Sequence, residues 1–282
     1  MMDTKKKILS AVGSVVFLAV CYLVYESMTF VTTDNAQVQA KTVMIASKVP
    51  GYVAKVNVEE NQKVKAGDVL VEIESRDYEN TYKQVSNEME GLKARFADAE
   101  KNFHRIETLW KQGAVSQQVY DNTQATYREV RHKLESIQAQ VAQAQLNLDY
   151  TKIKAPTNGA IAKRAVEIGM LAPSGSPLIG FVSSDQRWVV ANFKETEIKD
   201  IKVGSAVDIH VDAIPGHKFR GKVESLSAAT GATFTLLPPD NATGNFTKVV
   251  QRVAVKIEFE GLRPEDTDLL QAGLSAEVKV RK

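Results

Sequence analysis

The chain has 282 residues, of which 44% are hydrophobic and 25% charged, with a net charge of +2. This is enough for two or three small modules and too apolar for a disordered chain; the Lys and Arg residues are spread out, without the concentrated basic face that nucleic acid requires. The single cysteine, Cys21, excludes an internal disulfide and any thiolate metal cluster.

At the start, Lys5 to Lys7 precede Ile8 to Tyr25, an uncharged run of 18 residues that includes Val15, Val16, Phe17, Leu18, Val20 and Leu23. Its length is at the low end for a single membrane-spanning helix, with the lysines on the cytoplasmic side. A cleaved signal peptide is the alternative. Against cleavage, the run ends in the bulky Tyr22, Leu23 and Tyr25, and no small-x-small site follows. Leu18 to Cys21 approaches a lipoprotein box, but Val20 is too bulky for the position before a lipidated cysteine.

From Thr33 to Glu74 the pattern changes to short β runs, Val43 to Ile45, Val53 to Val58 and Val69 to Ile73, punctuated by Pro50-Gly51, Glu60-Asn61 and Ala66 to Asp68. Two long helices follow between Asp77 and Leu148. In the first, Tyr78, Tyr82, Val85, Met89, Leu92, Phe96, Ala99, Phe103, Ile106 and Trp110 alternate steps of four and three, the a/d seam of a coiled coil. In the second, Tyr120, Thr123, Tyr127, Val130, Leu134, Ile137, Val141, Ala144 and Leu148 keep that rhythm. Gly113 suits the left-handed position that ends a helix, and Ser116 can cap the next one, so the short connection predicts an antiparallel hairpin. At about 1.5 Å per residue its first arm is roughly 54 Å long. Gly91, inside that arm, costs about 1 kcal/mol relative to alanine.

Past the hairpin the β pattern returns as a copy of the earlier one. A constant shift of 108 positions lays Gly51 on Gly159, Ala54 on Ala162, Lys55 on Lys163, Val58 on Val166, Glu59 on Glu167, Gly67 on Gly175 and Leu70 on Leu178. Neither half has enough strands to bury a face alone, so the two predict one β domain with the hairpin inserted between them. From Arg187 onward, Trp188 to Phe193, Ala206 to Val211, Phe219 to Leu226, Val249 to Phe259 and Leu274 to Val280 are strand-like, with turns at Val203-Gly204, Pro215-Gly216 and Gly261 to Pro264. Ser227 to Lys248 is read as a long surface loop. The histidines, His104, His132, His210 and His217, have no metal-ligand spacing, and no phosphate loop or nucleophile elbow is present. The chain is therefore read as a non-enzyme without a cofactor.

Two repeated β halves around a helical insertion resemble the lipoyl or biotinyl carrier fold, in which a modifiable lysine occupies the turn between the halves. Here the hairpin replaces that turn. Anchor, half-lipoyl motif, hairpin, half-lipoyl motif and terminal β domain, in this order, resemble the periplasmic adaptor or membrane fusion family (HlyD-like), and within it the EmrA-type multidrug efflux adaptors. Thr33 to Val38, Trp188 to Thr196 and Leu236 to Arg252 look like that group's signatures. The hairpin arms are shorter than the long ones typical of the group.

The resemblance implies an α+β, modular fold. Residues 1–32 form a cytoplasmic stub and transmembrane anchor, 33–75 and 151–183 a split lipoyl-like domain with its lead-in strand, 76–150 a coiled-coil hairpin, and 184–282 a β-barrel. It implies a single-pass inner-membrane protein, periplasmic in bulk, that self-associates into a ring, typically a hexamer. Its partners would be an inner-membrane major facilitator pump (EmrB-like) and a TolC-like outer-membrane channel. Arg105, Leu109 and Ser116 match the family's tip motif for docking on that channel. The plain alternative is a solvated charge, a seam-flanking leucine and a helix cap. Rival functions are an adaptor of an ABC-driven type I secretion system, a lysine-modified carrier and a structural envelope spacer.

Overall fold

A computed structural model of the chain describes residues 17, 26, 28–230, 233 and 250–282. The anchor at Ile8 to Tyr25 lies outside the described residues apart from Phe17, as does most of the loop at Ser227 to Lys248. Among the described residues no helix is long and apolar enough to cross a membrane. The chain divides into two compact units, one of Thr42–Phe181 and the other of the segment up to Lys41 with Val182–Lys282.

The Thr42–Phe181 unit carries the repeat. Its strands are β2 (Gly51–Val56), β3 (Lys63–Val64), β4 (Val69–Ile73), β5 (Lys152–Lys154), β6 (Gly159–Arg164) and β7 (Leu171–Ala172), with the end of β1 (Phe30–Ala46) and the start of β8 (Pro177–Lys194). One sheet has the order β5-β4-β2-β7, and the shift of 108 carries it onto β8-β6-β3, with the end of β1 in the place of β5. The hydrogen bonds repeat with it. Asn57 N–H donates to Leu70 O as Ala165 N–H donates to Leu178 O, both at 2.9 Å. Between the halves, Gly67 N–H donates to Ala155 O at 2.9 Å and Gly175 N–H to Ser47 O at 2.7 Å. Gly67 and Gly175 share a left-handed φ, +88° and +83°, which bars a Cβ without strain.

The core pairs the same way: Val53 with Ile161, Val58 with Val166, Leu70 with Leu178, Val71 with Ile179, and Ile73 with Phe181, all buried in one cluster. Each half covers the other's apolar face. This reciprocal burial explains why copies so far apart in sequence meet in one body.

Between the halves rise α1 (Arg76–Lys111) and α2 (Gln117–Asp149). Every seam position is buried or half-buried except Trp110, which is 37% exposed. At the foot of the hairpin the Tyr78 hydroxyl donates to Pro50 O at 2.6 Å, and the Lys48 ammonium lies 4.3 Å from the centre of the Tyr150 ring.

The second unit is a small barrel. In it β9 (Ala206–Val211), β10 (Lys218–Thr230), β11 (Arg252–Glu260) and β12 (Ser275–Arg281) join β1 and β8 in the order β1-β12-β9-β10-β11-β8. Each neighbouring pair in this order is antiparallel, with Phe30 opposite Arg281, Val280 opposite Val207, Arg220 opposite Glu260 and Arg252 opposite Lys194. Alternate residues point inward, so Val189, Ala191, Phe193, Val207, Ile209, Val211, Val255, Ile257, Ala276, Val278 and Val280 are all essentially solvent-free.

The structure differs from the sequence reading at three places, the first being β10, which runs on through Ser227 to Thr230, where the sequence predicts a loop, because Thr230 still pairs with Val253. The segment from Thr33 to Lys41, grouped by sequence with the lipoyl-like domain, is the barrel's own first strand. And Gly261 to Pro264, read as a turn only, leads into a short helix α3 (Pro264–Leu269). The Asp266 carboxylate bonds the backbone N–H and the guanidinium of Arg263, and Pro264 stands where a missing N–H does no harm.

Candidate docking tip and the convergence of three motifs

The tip is built by backbone chemistry. Gly113 adopts φ +71°, Ala114 N–H reaches back to Leu109 O at 2.9 Å and Gly113 N–H to Trp110 O at 2.9 Å, the paired bonds of a Schellman closure. Ser116 then starts α2, its hydroxyl oxygen accepting from Val119 N–H at 3.4 Å. A column of rings ties the arms near this end. Trp110 stacks on Tyr120 at 4.6 Å between centres, and Phe103 packs on Tyr127 at 5.1 Å and Tyr120 at 5.9 Å.

On this scaffold Arg105 is exposed, its guanidinium donating to the Asn102 side-chain oxygen at 3.1 Å, and no carboxylate lies within ion-pair distance of it among the described residues. Leu109, one turn on, is half-buried. The neighbouring acid is already engaged: Glu107 pairs with Lys111 at 2.8 Å and His104 at 3.5 Å. The Lys111 ammonium, then the His104 ring, hold its carboxyl below the usual carboxylate range. Arg105 is thus a charge free to meet a carbonyl or carboxylate from outside. Ser116 is spent on its own helix. The sequence reading omitted Val119, 42% exposed beside the cap, because it lies off the seam.

A second gathering lies in the barrel, where pieces of all three signature motifs meet at Asn192. The Thr33 hydroxyl donates to Asn192 O at 2.9 Å, the Arg252 guanidinium donates to the same oxygen at 3.3 Å, and the Asn192 amide donates to the Asn35 side chain at 3.2 Å. Thr33 borders, and Asn35 lies within, the irregularity that interrupts β1 between Thr33 and Ala36. These bonds fasten β1 to β8 and line a polar cleft of about 300 Å³ with Asp34, Lys194, Glu197 and Glu277. Its acids and bases are mixed, so it has no single charge to offer a ligand. The rest of the third motif, from Leu236 to 249, lies outside the described residues. Among the described residues no group of His, Cys, Asp and Glu is gathered that could hold a metal ion.

A split lipoyl-like body carrying a helical hairpin, together with an antiparallel barrel, defines the adaptor class of membrane fusion proteins. Residues 41–182 match the family model described as RND MFP, barrel-sandwich hybrid domain, and residues 186–236 the CusB-like, beta-barrel domain. The chain is 32% identical to the multidrug export protein EmrA of Haemophilus influenzae, over 89% of this chain and 76% of that one. It is also 32% identical to the colistin resistance protein EmrA of Acinetobacter baumannii, over 99% and 95% respectively. In fold it is similar to a MacA-MexA chimeric protein containing the Pseudomonas aeruginosa MexA α-hairpin domain, with a TM-score of 0.60 at 24% identity over 89% of this chain and 80% of that one. The chain belongs to the membrane fusion protein family and is EmrA-like.

Proposed function

We propose that this chain is the periplasmic adaptor of a tripartite multidrug efflux pump. It is held in the inner membrane by Ile8 to Tyr25, bound to a major facilitator transporter of the EmrB kind, and joined through its hairpin tip to a TolC-like outer-membrane channel. It forms a ring, a hexamer in the family's usual pattern, and does no covalent chemistry, since energy comes from the transporter. The relatives named for multidrug export and colistin resistance support the cargo class. The observation that carries the docking role is the tip itself, where Arg105 stands exposed with no acidic partner among the described residues while Glu107 beside it is ion-paired with Lys111. Leu109 supplies apolar contact on the same helical face.

Arg105→Asp tests this reading. Docking to the channel and drug resistance should be lost, while expression and co-purification with the inner-membrane transporter stay at the wild-type level. Normal resistance in that variant would remove the tip assignment, and an ATPase found in place of a facilitator after mild-detergent purification would move the chain to the secretion adaptors.

A further inference from the structure

The connection from β8 to β9 does not simply turn a corner, because those strands are not neighbours in the barrel order. Residues 195–205 therefore cross the open end of the barrel. A single 3-10 turn, Ile198–Asp200, lies within that crossing, with Ile201 buried in the barrel core and Ile198 packed against it. The segment is two-faced. Its inner side plugs the barrel, and its outer side presents Lys199, Lys202 and Val203, the valine 66% exposed. Val203, held out directly after Lys202, is too exposed to serve the barrel's own packing.

The same end receives the chain arriving from the apolar run. Phe30 pairs with Arg281, Lys282 N–H donates to Thr29 O at 3.0 Å, and the Glu26 carboxylate holds the Lys279 ammonium at 2.9 Å. Glu26 directly follows Tyr25, where the uncharged run ends. Glu26, the first residue past the apolar stretch, is thus paired with β12. Met28, 73% exposed, stands in this short link, and Arg281 lies one register step beyond the Val280–Val207 pair, next to the strand that the plug leads into.

We propose that this end of the barrel is a lipid-binding surface: Lys199, Lys202 and Arg281 meet anionic phospholipid headgroups, and Val203 and Met28 enter the interfacial layer. The inference rests on Ile8 to Tyr25 being a membrane span. Basic side chains around a few exposed apolar ones are the composition that binds an interface, each lysine or arginine strengthening attachment about fivefold on an anionic surface. Of the plug's three acids, Asp200 and Glu197 are half-buried and Glu197 lies 3.8 Å from Lys194, which leaves Glu195 at its start as the one exposed acid against the exposed Lys199 and Lys202.

The test uses the full chain with Cys21→Ser, spin-labelled at Val203→Cys and placed in nanodiscs of phosphatidylcholine with or without phosphatidylglycerol. In the anionic discs the label should be shielded several-fold from a water-soluble relaxation agent and reached by oxygen, and Lys199→Gln with Lys202→Gln should restore the exposure seen in neutral discs. A label at Leu269→Cys, exposed on α3 at the opposite end, should stay wet throughout. A Val203 label equally wet in both discs overturns the proposal alone. A chain that never enters discs overturns the span reading and the proposal with it. Shielding that appears only when the transporter is added overturns the proposal in favour of a protein partner.

Discussion

The two halves of the lipoyl-like body share their strands, their cross-half hydrogen bonds and their left-handed turn positions, but they differ on the outside. Tyr52, Met170 and Leu171 form an apolar corner, with Tyr52 opposite Leu171 across β2 and β7 and Ile168 exposed beside it. At the positions 108 away stand Ala160, Gln62, Lys63 and Glu60. The interior stays apolar at matched positions, because each half covers the other's apolar face. The surface is under no such constraint, and there the two halves differ in polarity and charge.

Truncating the shared core is the most severe way to break the equivalence. Leu70 and Leu178 are both fully buried at matched positions. Leu70→Ala and Leu178→Ala should each cost about 2–5 kcal/mol in denaturant unfolding, by similar amounts. A large difference between them would mean that one half folds without the other.

A milder probe falls on the turns. Gly67→Ala and Gly175→Ala meet no steric neighbour but force a side chain into the left-handed region, and each should lower stability by about 1–2 kcal/mol. Here thermal melts of the two single variants are the comparison, and a pair of neutral substitutions would show that neither turn holds its φ.

The smallest effect sharpens the contrast. Leu171→Lys, which copies Lys63 onto the apolar side, should shift stability by no more than about 0.5 kcal/mol, since Leu171 is 53% exposed. A marked loss on denaturant titration would show that the corner supports the fold.

The repeat was legible in sequence because its glycines and its alternating apolar residues recur without a gap, and the hairpin because the seam keeps one rhythm down both arms. The first barrel strand was not legible. In β1 the buried positions are Val31 and Thr33, then Ala36, Val38 and Ala40, so the irregularity between Thr33 and Ala36 moves the inward face from odd to even positions. A strand that changes phase midway does not read as one strand, and no turn residue separates Lys41 from Thr42. The plug was hidden for a similar reason: Ile198 and Ile201 are too few to form a periodic pattern.

For the tip, Gly113 located the turn, and the step of four from Arg105 to Leu109 placed both on one face. What the sequence could not supply was which side chains are already occupied. Ser116 is bound to Val119, and Glu107 rather than Arg105 carries the ion pairs. Those assignments depend on rotamers, which spacing does not determine.

The contacts at the foot of the hairpin have a mechanical consequence. Arg105 is 29 residues beyond Arg76, so at about 1.5 Å per residue it lies roughly 44 Å up the arm, and an angular play of about one degree at the foot displaces it by roughly 0.8 Å. The Tyr78–Pro50 bond and the Lys48–Tyr150 stack therefore act as the bearing of a lever. Loosening either would smear the position of the distant arginine while leaving its own surroundings untouched.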